Sequence, residues 1–248
     1  MIFLKTALVT GASGAIGSAT AKLFLQNGYF VIAQYNKDQN GINNLKAFAE
    51  DNGFLDYLFC VQADFNNSNE IDNLIATVKK SFKRIDVLVN NAGLDLYKLV
   101  TDTTDEEWDT MFNVNVKSAF KLTKAFLPAM VSAESGNVIF VSSILGEKGG
   151  SMEAVYSATK SALIGFTKAL SKEVGISNVR VNCVCPGVID TPMNSRFTNE
   201  EMQDLIGRTA LNRVGSPEEV ASVIYFLASD KASFITGQSL TVDGNFNV

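Results

Sequence analysis

Seven short apolar runs, near residues 3–9, 29–35, 57–63, 85–90, 137–142, 179–184 and 239–242, alternate with amphipathic stretches near 15–27, 41–52, 68–82, 104–131, 155–174 and 217–229. Runs of strand length that are apolar throughout suit strands buried on both faces, and strands joined through helices run parallel. The pattern therefore predicts an α/β fold, a doubly wound parallel sheet with helices on both faces. Pro128, late in the 104–131 stretch, is expected to kink or end that helix. No linker, charge block or repeat of about 20–50 residues interrupts the chain, so residues 1–248 are expected to form a single domain.

The first apolar run leads directly into Thr10-Gly11-Ala12-Ser13-Gly14-Ala15-Ile16-Gly17. Glycines that close a strand and open a helix let backbone N–H groups approach a pyrophosphate, and the helix N-terminus adds partial positive charge. The segment does not fit G-x-G-x-x-G, but its place between a strand and the helix from Ser18 to Gln26 makes a Rossmann-like phosphate site the expectation. Ligands of such sheets bind beyond the carboxyl ends of the strands. Asp64, Asn90, Ser143 and Pro186 each follow a predicted strand and are expected to meet at that edge.

In Tyr156-Ser157-Ala158-Thr159-Lys160 the phenol and the ammonium are four residues apart, which puts them on one helix face with Cβ atoms about 5–6 Å apart. A unit charge about 4 Å away at an effective dielectric near 20 is worth about 4 kcal/mol, or up to about 3 pKa units before desolvation. The lysine is thus expected to draw the phenol toward proton exchange near neutrality. Taken alone, a Tyr–Lys pair at this spacing is also ordinary surface decoration.

Composition removes competing chemistries. The chain has no histidine, which excludes Ser-His-Asp and Cys-His nucleophilic catalysis and the usual imidazole metal sites. The net charge of −5 and the absence of a basic stripe disfavour nucleic-acid and anionic-membrane binding. No run approaches 18 apolar residues and Met1-Ile2-Phe3-Leu4 is too short for a signal core, so a cytoplasmic location is expected. Cys60, Cys183 and Cys185 then read as reduced structural thiols, with Cys185 expected near the ligand because it precedes Pro186-Gly187.

Together, Thr10-Gly11 to Gly17, Asn90-Asn91-Ala92-Gly93, Asn115, Ser143, Tyr156 with Lys160, and Pro186-Gly187-Val188-Ile189-Asp190-Thr191 strongly resemble the short-chain dehydrogenase/reductase family over nearly the whole chain. The family's serine lies about a dozen residues before its tyrosine, which selects Ser143 over Ser142, and its middle glycine falls here on Ala15. The resemblance implies a nicotinamide oxidoreductase without metal: Tyr156 exchanges the proton, Ser143 holds the substrate oxygen, Lys160 tunes the tyrosine and bonds the nicotinamide ribose, and Asn115 anchors a relaying water. It places the cofactor on Gly11, Ser13, Ala15, Ile16, Gly17, Tyr35, Asn36, Lys37, Asp64 and Phe65, on Asn91, Ala92 and Gly93, on Tyr156 and Lys160, and on Pro186, Gly187, Ile189 and Thr191. Asp64 has an equal alternative as a helix cap or Asx-turn residue. No acid ends the second strand, where one would accept the NAD ribose hydroxyl; Asn36 and Lys37, with Ser13, favour NADP(H) over NAD(H).

The run from Arg213 to Val220 and that from Ile235 to Gly244 look most like the 3-oxoacyl-acyl-carrier-protein reductase branch. Against it, neither Val131 to Asn137 nor Val174 to Asn178 contains Lys or Arg to steer an acidic carrier protein. Asp105 to Asn115 and Ser143 to Gly146 also resemble reductases of the 5-aminopentanone group on elongation factor P. A small ketone or alcohol substrate is a third reading, and a non-catalytic nucleotide-binding redox sensor is the reading of another class. The family implies a homotetramer paired through the helices near 104–131 and 155–174.

Overall fold

The computed structural model describes residues 5–247; residues 3 and 4 of the first expected strand lie outside them. Among the described residues, seven strands form one parallel sheet: β1 (Thr6–Val9), β2 (Phe30–Tyr35), β3 (Leu58–Gln62), β4 (Val87–Asn90), β5 (Gly136–Val141), β6 (Val179–Pro186) and β7 (Ser239–Val242). Their order is β3-β2-β1-β4-β5-β6-β7. β1 and β4 are fully buried from end to end, as uninterrupted apolar runs demand. Val9 is in register with Ala33 on one side and Val89 on the other, so the chain leaves three adjacent strand ends at one level. Because strand order reverses between β1 and β4, a crevice opens above that junction.

Helices α1 (Ala15–Gln26), α2 (Gln39–Asp51) and α9 (Pro217–Ala228) cover one face, with Phe24, Leu45 and Ile224 packed against Ala7, Val31 and Ile139. The opposite face is covered by α3 (Ser68–Ser81), α5 (Ser118–Ser132) and α7 (Ala154–Val174), through Leu74, Leu122 and Leu163 against Leu8, Leu88 and Phe140. Caps fix several helix starts: Thr104 with Glu107 opens α4 (Asp105–Phe112), and Ser216 with Glu219 opens α9.

Two departures from the expected elements bear on function. The stretch 104–131 is not one regular helix, because a π turn at Asn113–Lys117 separates α4 from α5 and carries Asn115 inward. Such wide turns insert a residue into the helical ladder and re-aim its side chain. Pro128 does not end α5, which continues to Ser132. Two short helices also escaped the periodicity, α6 (Ile144–Lys148), capped by the Ser143 hydroxyl, and α8 (Asn199–Gly207).

α1 meets the turn before it at Gly17. A Cβ there would sit inside van der Waals contact of the Gly11 carbonyl and 2.8 Å from Asn91 Nδ2. Since the nearest obstacle is backbone, Gly17→Ala is expected to cost about 1–3 kcal/mol, read as a lower urea midpoint at unchanged slope.

Candidate active site

A cavity of about 740 Å³ lies over the carboxyl ends of the strands, at the reversal in strand order. One end is built for an anion. Gly11, Ser13, Ala15, Ile16 and Gly17 line it, and α1 begins without a side-chain cap and without an acid in its first turn. The first N–H groups of α1 thus face the cavity with no side chain competing for them, which is the donor set a diphosphate requires. Thr10 secures this end: its Oγ1 accepts from Asn91 N and Ala92 N, both at 2.9 Å, while Asn91 Nδ2 donates to the Thr10 carbonyl at 2.8 Å.

Asn36, Lys37, Asp64 and Phe65 line the wall beyond, but Tyr35 does not. Alternation along β2 turns the tyrosine away, and its hydroxyl faces Gln39. Gln34 lines the cavity instead. It is buried, accepts from Gly11 N and donates to the Ala63 carbonyl, both at 2.9 Å, tying three strand ends together. An amide in an otherwise apolar strand was the signal for it. Asp64 makes an Asx turn with Asn66 N at 2.9 Å and also lines the cavity, so its two expected roles coincide in space.

Asn91, Ala92, Gly93, Pro186, Gly187, Ile189 and Thr191 surround the other end, where Ser143, Tyr156 and Lys160 converge from the end of β5 and from α7. Ser143 Oγ accepts from Leu145 N at 3.1 Å, which leaves its hydroxyl proton free to point elsewhere. Lys160 is buried and donates to the Val141 carbonyl at 2.9 Å; burial pushes its pKa down to about 8. Tyr156 is buried as well, and burial raises its pKa, with the Ser143 hydroxyl pulling the other way.

This corrects the Coulombic expectation. Lys160 Nζ is 5.6 Å from the Tyr156 ring centroid, directed at a carbonyl, and desolvation of the phenol outweighs any help from the ammonium. Asn115 stands behind the wall and does not line the cavity. Its Oδ1 accepts from Leu94 N at 2.8 Å, and its Nδ2 donates to the Leu94 carbonyl and to Thr159 Oγ1 at 2.9 and 3.0 Å. Both amide donors are therefore spent on holding the loop after Gly93 against α7. Cys185 is buried behind Pro186 and does not line the cavity either; all three cysteines are free.

The family model described as enoyl-(acyl carrier protein) reductase matches residues 11–247. A 3-oxoacyl-[acyl-carrier-protein] reductase of Thermotoga maritima is 39% identical over 240 residues, covering 97% of this chain and 96% of its own. An uncharacterized oxidoreductase of Bacillus subtilis is 38% identical over 248 residues, with 98% and 99% covered. The crystal structure of a short-chain dehydrogenase/reductase of Brucella melitensis superposes with a TM-score of 0.88 at 34% identity, covering 98% of this chain and 97% of that one. This chain belongs to the short-chain dehydrogenase/reductase family.

Membership makes it an NAD(P)-dependent oxidoreductase, and the sheet order and cavity of this short-chain dehydrogenase/reductase carry the family's architecture. Among its described residues no helix is long and apolar enough to cross a membrane, and no group of three or more His, Cys, Asp or Glu is placed to hold a metal ion. Sequence reasoning missed Gln34 and the segment 192–208, whose residues Pro192, Met193 and Asn194 wall the cavity beside Thr191. Nothing in that segment's composition marks it as a wall; only its position after the Pro186-Gly187 loop does.

Proposed function

We propose that this chain reduces 3-oxoacyl thioesters with NADPH. The observation that carries the reading is one continuous cavity with an anion-binding helix start at one end and Ser143, Tyr156 and Lys160 at the other. The similar 3-oxoacyl-[acyl-carrier-protein] reductases support the substrate class. Nicotinamide, when bound, supplies hydride to the carbonyl carbon. Charge then gathers on the carbonyl oxygen, where a fixed hydrogen-bond donor and a proton donor are needed. Ser143, with its oxygen already accepting from Leu145 N, donates its hydrogen to that oxygen. Tyr156, kept as neutral phenol by burial, gives up its proton there. Lys160, with a pKa near 8, exchanges protons close to neutrality and supplies positive charge beside the phenol. Asn115 keeps the Leu94 loop and α7 in register. The test is NADPH oxidation followed by absorbance with acetoacetyl thioesters and simple ketones; no turnover with any of them contradicts the reading.

Preference for NADPH is supported at the ribose end. Ser13, Asn36 and Lys37 line the cavity there, while Asp38, which also lines it, has one carboxylate oxygen engaged by Gly41 N at 2.9 Å as the cap of α2. Lys37→Ala is expected to raise the KM for NADPH about tenfold and leave that for NADH unchanged, since a charged hydrogen bond is worth about 1.5–3 kcal/mol. Equal changes for both cofactors contradict it.

One observation favours a second substrate. Two carboxylates, Asp95 and Glu153, stand near the phenol and share the single guanidinium of Arg196, and this excess negative charge beside the phenol favours an amine-bearing ketone over an anionic carrier. The 5-aminopentanone group on elongation factor P has that chemistry. Intact-mass measurement of elongation factor P from a deletion strain tests this reading: an unchanged mass removes it. A homotetramer is also part of the proposal, supported by Trp108 on α4 and Phe120 on α5, both exposed; sedimentation as a monomer contradicts it.

A further inference from the structure

The segment 192–208 lines the cavity through Pro192, Met193 and Asn194 yet is poorly anchored. Its helix α8 has no buried residue, and its far end is held by backbone, with Asn247 N donating to the Arg208 carbonyl at 2.9 Å. Among the described residues, apart from bonds to the adjoining Ile189 and Thr209, its side-chain hydrogen bonds to the rest of the chain come from Arg196. One guanidinium nitrogen pairs with Asp95 and another with Glu153 Oε1 at 2.7 Å. The group also lies over the rings of Tyr97 and Phe197, 4.8 Å from each centroid.

The partners of Arg196 are themselves fixed. Lys98 N donates to the Met152 carbonyl at 2.6 Å, joining the loop that carries Asp95 to the one that carries Glu153, and Lys98 Nζ pairs with Glu107 of α4 at 2.9 Å. Glu153 immediately precedes α7, three residues before Tyr156, and its carbonyl accepts from Ser157 N at 2.8 Å. On the other side, Pro192, Met193 and Asn194 line the cavity a few residues before Arg196. A single fork-shaped cation thus spans two carboxylates on a fixed platform and carries a cavity wall on its own segment, a task for which a point charge is poorly shaped.

We infer that Arg196 is a positioning residue, a latch that sets the wall formed by residues 192–194 over the Tyr156 site and so fixes how substrate is held. The inference goes beyond the reductase reading and rests on it only for its kinetic readout. Amide hydrogen exchange of the free protein and steady-state kinetics test it in Arg196→Ala, Arg196→Lys and Asp95→Asn. Exchange across 192–207 is expected to quicken about tenfold in Arg196→Ala and partly recover in Arg196→Lys. Added salt should quicken it in the parent protein and not in Arg196→Ala, because screening weakens only a pair that exists. The ketone KM should rise about tenfold with kcat within about twofold, the signature of lost positioning rather than lost chemistry. Asp95→Asn should act in the same direction and add little to Arg196→Ala, so the argument survives if one variant folds poorly. Exchange unchanged in both variants overturns the latch; faster exchange with unchanged KM overturns its role in substrate positioning. Exchange needs no substrate, so it decides the latch even if no ketone is turned over.

Discussion

Tyr156→Phe is expected to lower kcat/KM for ketone reduction about 10³-fold while leaving NADPH affinity within about twofold. The substitution removes one hydroxyl and keeps the ring, which packs with Met111 and Val155 in a small cluster under the cavity, so the fold has little reason to change. The phosphate end of the cavity is distant in sequence and built from α1 backbone, so nucleotide binding should be spared. What disappears is the proton donor. Burial raises the phenol's pKa, so at neutral pH the parent carries that proton in essentially every molecule, and Ser143 alone has no comparable acidity to offer. Turnover by Tyr156→Phe within about tenfold of the parent would show that the proton comes from elsewhere. Single-turnover absorbance, with nucleotide binding followed by fluorescence, separates the two effects.

Lys160→Met is expected to abolish most activity, by about 10²-fold or more, and at the same time to stabilise the protein near neutral pH. Lys160 is buried and its pKa falls from 10.5 to about 8, equivalent to roughly 3 kcal/mol of penalty for holding its charge inside the fold. The sign follows from proton uptake. Between about pH 8 and 10.5 the unfolded chain binds more protons at this residue than the folded one, so stability rises with pH through that window. Below about pH 8 the penalty is present in full. Methionine removes it, but leaves the Val141 carbonyl without its 2.9 Å donor, at a cost of about 1–3 kcal/mol. The net gain should be roughly 0–2 kcal/mol, seen as a Tm higher by up to about 8 °C at neutral pH. Near pH 10, where most of the parent's penalty is relieved, the gain should vanish or reverse. The same Tm difference at both pH values would mean that the lysine is not the strained charge described here.

The fold was legible because burial on both faces leaves strands such as Thr6–Val9 and Val87–Asn90 no freedom to alternate, and because the stretches between the strands keep one apolar face. The site was legible where chemistry depends on residue type at a spacing: Tyr156 with Lys160, Ser143, and the glycines before α1. It failed where the outcome depends on three-dimensional surroundings. Spacing puts Lys160 near Tyr156 but says nothing of the Val141 carbonyl that claims the ammonium, nor of the burial that dominates both groups. The resemblance put Tyr35 on the cofactor, and the pleat turned Gln34 inward in its place. The π turn that draws Asn115 behind the wall has no period of its own to detect. The latch at Arg196 joins residues about 40 and 100 positions away, which no local pattern encodes.

A crystal structure with NADP and an unreactive ketone analogue tests the central claim most directly. The account predicts the analogue's oxygen within about 2.5–3.0 Å of both the Tyr156 and Ser143 hydroxyls, with the diphosphate against the first N–H groups of α1. An analogue bound in that cavity with its oxygen turned away from both hydroxyls would contradict it.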